Sequence, residues 1–243
     1  MRRLFYPGKL APNIVIRGTD AHHITRVLRS KPGQEVVVVD NENKAAKMRL
    51  AAFSSQAVTL ELIETIPPAA ESSANITLAV CVLKGDKMEL VLQKATELGV
   101  RRLIPLRSEN CIPNYDEVKR EDKRERWQRI ADEAAKQCGR DSLMEVMPLT
   151  ELEDFLETVS EHDTLIFCYE NETRRPLGEV LRNLSDDNYV LLIGPEGGFT
   201  PAEALAVEQK GGISVTLGSR ILRAETAAIA AIAILQHDRG DLG

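Results

Sequence analysis

From residue 75 to the end of the chain, apolar runs of strand length alternate with segments of helical period, and this alternation limits the fold more than any other feature. The runs are 76–83 (ITLAVCVL), 103–106, 164–169 (TLIFCY), 189–193 (YVLLI) and 213–217 (ISVTL). Strands this uniformly apolar must be covered on both faces, which implies a parallel sheet flanked by helices. The segments between them read as those helices. In the first, Met88, Val91, Leu92, Ala95 and Leu98 keep the 3.6-residue period up to Gly99. A long charged helix over 115–138 turns Trp127, Ile130, Ala131, Ala134 and Cys138 inward, with Asp122/Arg126 and Glu125/Arg129 as surface pairs. Thr150-Glu151-Leu152-Glu153 reads as a capping box, another helix covers 176–184, and Thr200-Pro201-Ala202-Glu203 is a second capping box with proline at the first helical position. The last helix, 225–237, is alanine-rich and apolar on nearly every face, as a helix enclosed by a core or by a second subunit would be.

The first 66 residues have a different texture. Short strands at 14–16, 36–39, 47–53 and 57–66 suggest a small β-barrel or sandwich. One or two helical turns at 22–29 bury Ile24, Val27 and Leu28 and leave Arg26 and Arg29 outward. The proline-rich segment 67–74 reads as a linker, giving two domains, 1–70 and 74–243. Charge divides the same way: the net charge of -6 hides ten Lys/Arg against six Asp/Glu in residues 1–70, and 21 against 31 in the rest. A basic module on an acidic chain is the footprint of phosphate contact without indiscriminate adhesion, although a solvated basic face has the same composition.

Composition removes whole classes. Hydrophobic residues at 43% are too many for a chain disordered by composition. The cysteines, Cys81, Cys111, Cys138 and Cys168, lack CxxC or zinc-site spacing and read as buried thiols of a reducing cytosol; the scattered histidines give no metal motif. No signal-length apolar run follows the basic start, and the longest apolar stretch, 227–235, is far too short to span a bilayer, so a cytoplasmic location is expected.

In a parallel sheet, ligands bind beyond the carboxyl ends of strands. Two loops there carry chemistry. Gly194-Pro195-Glu196-Gly197-Gly198-Phe199 follows YVLLI, and its glycines permit close backbone approach to a ligand; a tight strand-to-helix turn is the plainer account. It matches neither GxGxxG nor GxxxxGK[ST], which removes the main support for a dinucleotide fold or a P-loop. The second loop, 217–226 (LGSRILRAET), packs Arg220, Arg223, a hydroxyl and a carboxylate beside Ile221 and Leu222, although Glu225 and Thr226 also suit an ordinary helix start. Lys84 and Lys87 sit at the same sheet edge, where they would meet phosphate or simply solvent.

Taken together, the segments HHITRVLR with PGQ, LKGDKMELVLQKATELGV then IPL, EAAKQCGR, LLIGPEGGFTPAE, LGSRILRAETA and LQHDRGDLG resemble the bacterial 16S ribosomal RNA uridine-N3 methyltransferases of the RsmE type, among the SPOUT (trefoil-knotted) methyltransferases. They stand in that family's order across both proposed domains. One departure is Arg107-Ser108-Glu109-Asn110-Cys111, where Asn110 replaces an arginine. The resemblance implies a PUA-like barrel for RNA, a knotted α/β domain for S-adenosylmethionine (SAM), a homodimer and no metal. It assigns SAM to Tyr169, Glu170, Ile193, Gly194, Pro195, Glu196, Gly197, Gly198, Leu217, Gly218, Ile221, Leu222 and Thr226. Arg223 and Arg220 would stabilise a uracil anion, with Glu196 or Glu225 as base and Glu170 or Glu196 offsetting the sulfonium. RNA phosphates would fall to Arg2, Arg3, His22, Arg26, Arg29, Lys84, Lys87 and Arg140. The expected partner is 16S rRNA or the small ribosomal subunit; a SPOUT enzyme for another rRNA position or a ribose 2′-OH, or a non-catalytic RNA-binding assembly factor, is the alternative.

Overall fold

The computed structural model of the chain describes residues 3–22, 24–25, 31–54, 57–67, 74–113 and 115–243, with backbone alone at 19 and 20. Two compact units emerge, Met1–Ala70 with Ala135–Ser142, and Glu71–Ala134 with Leu143–Gly243.

The first unit holds β1 (Arg3–Phe5), β2 (Asn13–Arg17), α1 (Gly18–His22), β3 (Glu35–Val39), β4 (Ala45–Phe53) and β5 (Ala57–Ile66), in the sheet order β1-β3-β4-β5-β2. Neighbours are antiparallel except β1 beside β3. Strict alternation in β2 turns Ile14 and Ile16 into the core and Val15 out. The valines of β3 are buried on both faces because a second small cluster, with Phe5, Ala45 and Ile66, covers the back of the strand. Register shifts after Lys47 and Leu50 break the β4–β5 ladder, as bulges do where a sheet bends into a half-barrel. The sequence reading missed β1, whose three residues pair with β3 more than thirty positions away. Helix also begins earlier than expected, at Gly18. Ile24 is buried as expected, while Arg26, Val27, Leu28, Arg29 and the linker segment 68–73 lie outside the described residues.

The second unit is a seven-stranded, wholly parallel sheet built from β6 (Asn75–Cys81), β7 (Arg102–Arg107), β8 (Glu145–Val146), β9 (Thr150–Glu151), β10 (Thr164–Cys168), β11 (Asn188–Ile193) and β12 (Ile213–Val215). The order is β12-β10-β11-β6-β7-β8, with β9 also on β7. The helices are α2 (Lys87–Glu97), α3 (Glu117–Cys138), α4 (Leu152–Thr158), α5 (Leu177–Arg182), α6 (Pro201–Gln209) and α7 (Ala224–Asp238). One face packs Leu78, Val80 and Leu191 against α2 and α7; the other packs Ala79, Phe167 and Leu192 against α4 and α6. No described helix is long and apolar enough to cross a membrane.

Several expectations need correction. Thr150 makes no cap: it lies in β9, its hydroxyl donates to Pro148 O at 3.1 Å, and Glu151 takes the N-cap position without a side-chain bond. Cys138 is exposed, since it belongs to the last turn of α3. Arg126 pairs with Glu89 on α2 at 2.5 Å, and Arg129 reaches the Glu125 carbonyl, so both expected surface pairs give way to other partners. Finally, α7 buries a stripe through Ala224, Ala228, Ala231, Ile232 and Leu235, while Ile234 is exposed.

Candidate active site

A cavity of about 960 Å³ opens in the second unit beyond the carboxyl ends of β10, β11 and β12. Its walls are 168–176 after β10, 193–198 after β11 and 215–224 after β12, closed by Lys87 and Ala227. The topology dictates this meeting, because parallel strands deliver all their outgoing loops to one edge.

The turn after β11 is held from below. Phe199 is buried, sets its ring edge-on to Phe167 at 6.2 Å, and lies so close to Gly194 that a Cβ there would meet the ring at 3.1 Å. Gly198 donates to Pro195 O at 3.0 Å with φ of 70°, a conformation costly for any residue with a Cβ, and the space where that Cβ would stand is taken by the Glu170 carboxylate. Asn110 packs against Gly197 and donates its amide to the carbonyls of Gly197 and Gly198 at 3.3 and 3.1 Å. The glycines therefore serve contact with neighbouring side chains as much as an open backbone edge. Directly after the turn, the expected capping box is complete: Glu203 N donates to Thr200 Oγ1 at 3.2 Å, and Thr200 N to Glu203 Oε2 at 2.8 Å.

Glu196 is engaged. Its Oε1 accepts from Lys87 Nζ at 2.9 Å and from Lys84 N at 3.1 Å. Burial pushes its carboxyl up, but the bonds from Lys87 and Lys84 outweigh that and leave it below the usual carboxylate range. Such a stabilised anion is a weak proton acceptor, so the geometry favours a structural charge over the expected base. Glu225, the other expected base, is buried with Oε2 3.9 Å from Lys87 Nζ, and it does not line the cavity.

The segment after β10, which the sequence reading entered only through Tyr169 and Glu170, forms another wall. Glu172 accepts from Arg174 N at 2.7 Å, Arg175 N at 3.3 Å, Arg175 Nε at 2.8 Å and the hydroxyl of buried Ser214 at 3.1 Å. Led by the Arg174 N–H bond, these contacts pull its carboxyl down to about 2. Glu172, Thr173 and Pro176 line the cavity although sequence reasoning passed over them. The Glu172/Arg175 spacing was visible, but Ser214, 42 positions away, was not.

Of the SAM residues implied by the resemblance, all except Thr226 line the cavity. Thr226 is exposed: α7 begins at Ala224 and presents Ala224 and Ala227 to the cavity, and two residues beyond Ala224 is the far side of a helix. Ile221 lines it yet is 89% exposed, a poor apolar bed in a single copy. Arg220 and Arg223 stand exposed at the rim, with Arg223 as the N-cap residue of α7. Lys87 joins them, and Lys84 is exposed. In the first unit, Arg3 is ion-paired with buried Asp141, Arg140 donates to Ser142 Oγ at 3.2 Å, and His22 is exposed. Arg2, Arg26 and Arg29 lie outside the described residues. No group of acids, cysteines and histidines able to hold a metal occurs among the described residues.

A model described as the RNA methyltransferase domain matches residues 70–236, and one described as the RNA methyltransferase PUA domain matches residues 16–63. The ribosomal RNA small subunit methyltransferase E of Bacillus subtilis is 32% identical over 240 residues, 95% of this chain and 94% of that protein. The chain belongs to this RNA methyltransferase family. Its counterpart in Aquifex aeolicus is 30% identical over 96% of this chain and 99% of its own length. The crystal structure of a ribosomal RNA small subunit methyltransferase E from Neisseria gonorrhoeae bound to S-adenosyl methionine matches with a TM-score of 0.89, 33% identity and 97% of each chain. Family membership bears out the resemblance drawn from the motifs, together with the α/β class and its N-terminal PUA-type module.

Proposed function

We propose that this chain transfers the methyl group of SAM to N3 of a uridine in 16S ribosomal RNA. The observation that carries this reading is the cavity between the 193–198 and 215–224 loops, in a chain 33% identical across 97% of its length to a relative crystallised with SAM. The cavity fits the group: its volume is at the upper end of small-ligand sites, with Ile193, Leu217 and Leu222 as apolar walls and Glu170 as a carboxylate on a cation's side.

When bound, SAM supplies an electrophilic methyl carbon. The chain must position a uracil ring in line with it and stabilise the charge that appears as N3 loses its proton. Arg223 and Arg220 suit the second task because a guanidinium offers fixed positive charge and paired donors to O2 and O4 without titrating. Glu196, held by Lys87 and Lys84, fixes the shape of the 194–198 turn and keeps Lys87 at the cavity mouth. Because N3 lies on the pairing edge, the target base must be turned out of any helix before it enters. Residues 1–70 form the RNA-gripping module and 74–243 the knotted SPOUT domain, with His22, Lys84 and Lys87 as accessible phosphate contacts. Exposed Ile221 and Ile234 support a homodimer in which the partner covers them. The substrate is 16S rRNA, free or in the small subunit, and the enzyme works in the cytoplasm.

The test offers tritiated SAM and the protein to small ribosomal subunits lacking the modification, then maps the labelled base. Arg223→Ala should bind SAM normally by calorimetry while turnover falls about 10²–10³-fold, the loss typical of one charge-stabilising donor. Unchanged turnover in the variant removes Arg223 from the chemistry, and no SAM binding by the wild type removes the enzyme reading.

A further inference from the structure

Cys81 and Cys111 are thirty positions apart, yet β6 and β7 lie side by side with Cys81 opposite Leu106, and the turn 108–111 that follows β7 folds back over that point. The two thiols converge on one hydroxyl, that of Ser108. Ser108 joins them: Cys81 Sγ donates to Ser108 Oγ at 3.4 Å, the same oxygen lies 3.5 Å from Cys111 Sγ, and Ser108 N donates to Cys111 Sγ at 3.5 Å. Cys81 is fully buried and Cys111 half-buried. On its other side the same turn holds the cavity wall, through the Asn110 amide on Gly197 and Gly198 and through Glu109 N on Glu203 Oε1 at 2.8 Å.

We propose that Cys81 and Cys111 are a peroxide-reactive thiol pair, and that the disulfide they form withdraws Asn110 from the Gly197–Gly198 turn and weakens cofactor binding. The cofactor clause rests on the SAM reading above; the thiol clause does not. Cys111 is the attacking group: the neighbouring Cys81 thiol and the N–H donors around it lower its thiol to about 6, against the opposing effect of burial, whereas the Cys81 thiol is raised by Cys111 and by burial. The Cys111 thiolate attacks one oxygen of hydrogen peroxide, the O–O bond breaks, and the released hydroxide takes up a proton as water. Cys81 sulfur then displaces the hydroxyl of the Cys111 sulfenic acid, which leaves with the Cys81 proton as a second water. Both sulfurs are oxidised by one electron each and the peroxide is reduced by two. Closing the bond brings the two sulfurs, both now next to Ser108 Oγ, to about 2 Å, a movement that the turn 108–111 must supply because Cys81 is fixed in the sheet.

The experiment uses the full-length protein with Cys138→Ser, which removes the exposed thiol. After hydrogen peroxide treatment, peptide mapping should find the 81–111 disulfide, and hydrogen exchange should quicken across 194–200; dithiothreitol should reverse both. SAM affinity by calorimetry should fall roughly tenfold, the effect of losing one or two net hydrogen bonds. Cys111→Ser should abolish the disulfide and the change in exchange, and Cys81→Ala gives the same result independently. A Cys111 that proceeds to sulfinic acid without pairing overturns the proposal, as does a disulfide that leaves exchange in 194–200 unchanged. If the reduced protein binds no SAM, it is the SAM reading that fails, and mapping with exchange still decides the thiol pair.

Discussion

Substituting Gly198 by alanine separates the two demands placed on the turn after β11. At φ of 70° an alanine costs about 1–2 kcal/mol, whatever surrounds it. The added methyl also enters space held by the Glu170 carboxylate, but that is the far end of a flexible side chain, so it moves rather than strains the backbone. The fold should therefore lose about 1–2 kcal/mol, a drop in Tm of roughly 2–8 °C for a domain of this size. Ligand binding should lose more than stability does, because Glu170 lines the cavity. Thermal unfolding and calorimetry with SAM read the two effects, and a factor of about ten in Kd corresponds to 1.4 kcal/mol. Glu170→Ala alone measures what the carboxylate contributes to binding. Combined with Gly198→Ala, it should leave the backbone cost of about 1–2 kcal/mol intact while the two binding losses fail to add, since both act through one carboxylate. Strictly additive binding losses, or a Gly198→Ala protein with wild-type Tm, would refute the reasoning.

Thr200→Ala should lower stability by about 1 kcal/mol in denaturant titration, since it removes one arm of a complete capping box, whereas Thr150→Ala, which caps nothing, should change it little. Glu172 has its folded-state carboxyl pulled down to about 2 from an ordinary 4.5, so the stability it confers is present above about pH 4.5 and is lost as pH falls toward 2. Glu172→Gln should accordingly be weaker than wild type at pH 7, with the gap narrowing over that window; a constant gap means that the carboxylate is not the source. Ile221→Asp should shift the protein toward monomer in sedimentation equilibrium, and an unchanged mass excludes Ile221 from the subunit contact.

Much of the fold could be read along the chain because burial leaves a local imprint. A strand covered on both faces has no polar position to spare, so ITLAVCVL, TLIFCY and YVLLI announce a parallel sheet before any partner is known. The Thr200–Glu203 box was legible for a similar reason, as both its bonds close within four residues. Thr150 satisfied the same pattern but failed to cap, because pairing of β9 with β7 claimed its backbone for a strand. The site loops were also legible, as glycine- and arginine-bearing segments at strand ends.

The chain alone determined the class of fold, the two-part organisation of the sequence and the two loops beside which a ligand would lie, since each follows from residue types within one segment. Tertiary structure decided which charges are already spent and which thiols meet. Glu196 looks like a free acid until Lys87 arrives from another helix, Glu172 becomes the tightly held carboxylate through Ser214, and Cys81 and Cys111 are strangers in sequence until β6 and β7 align. A titratable group takes its properties from whatever lies within a few ångströms, and those neighbours are assigned by strand order, which one-dimensional spacing does not encode.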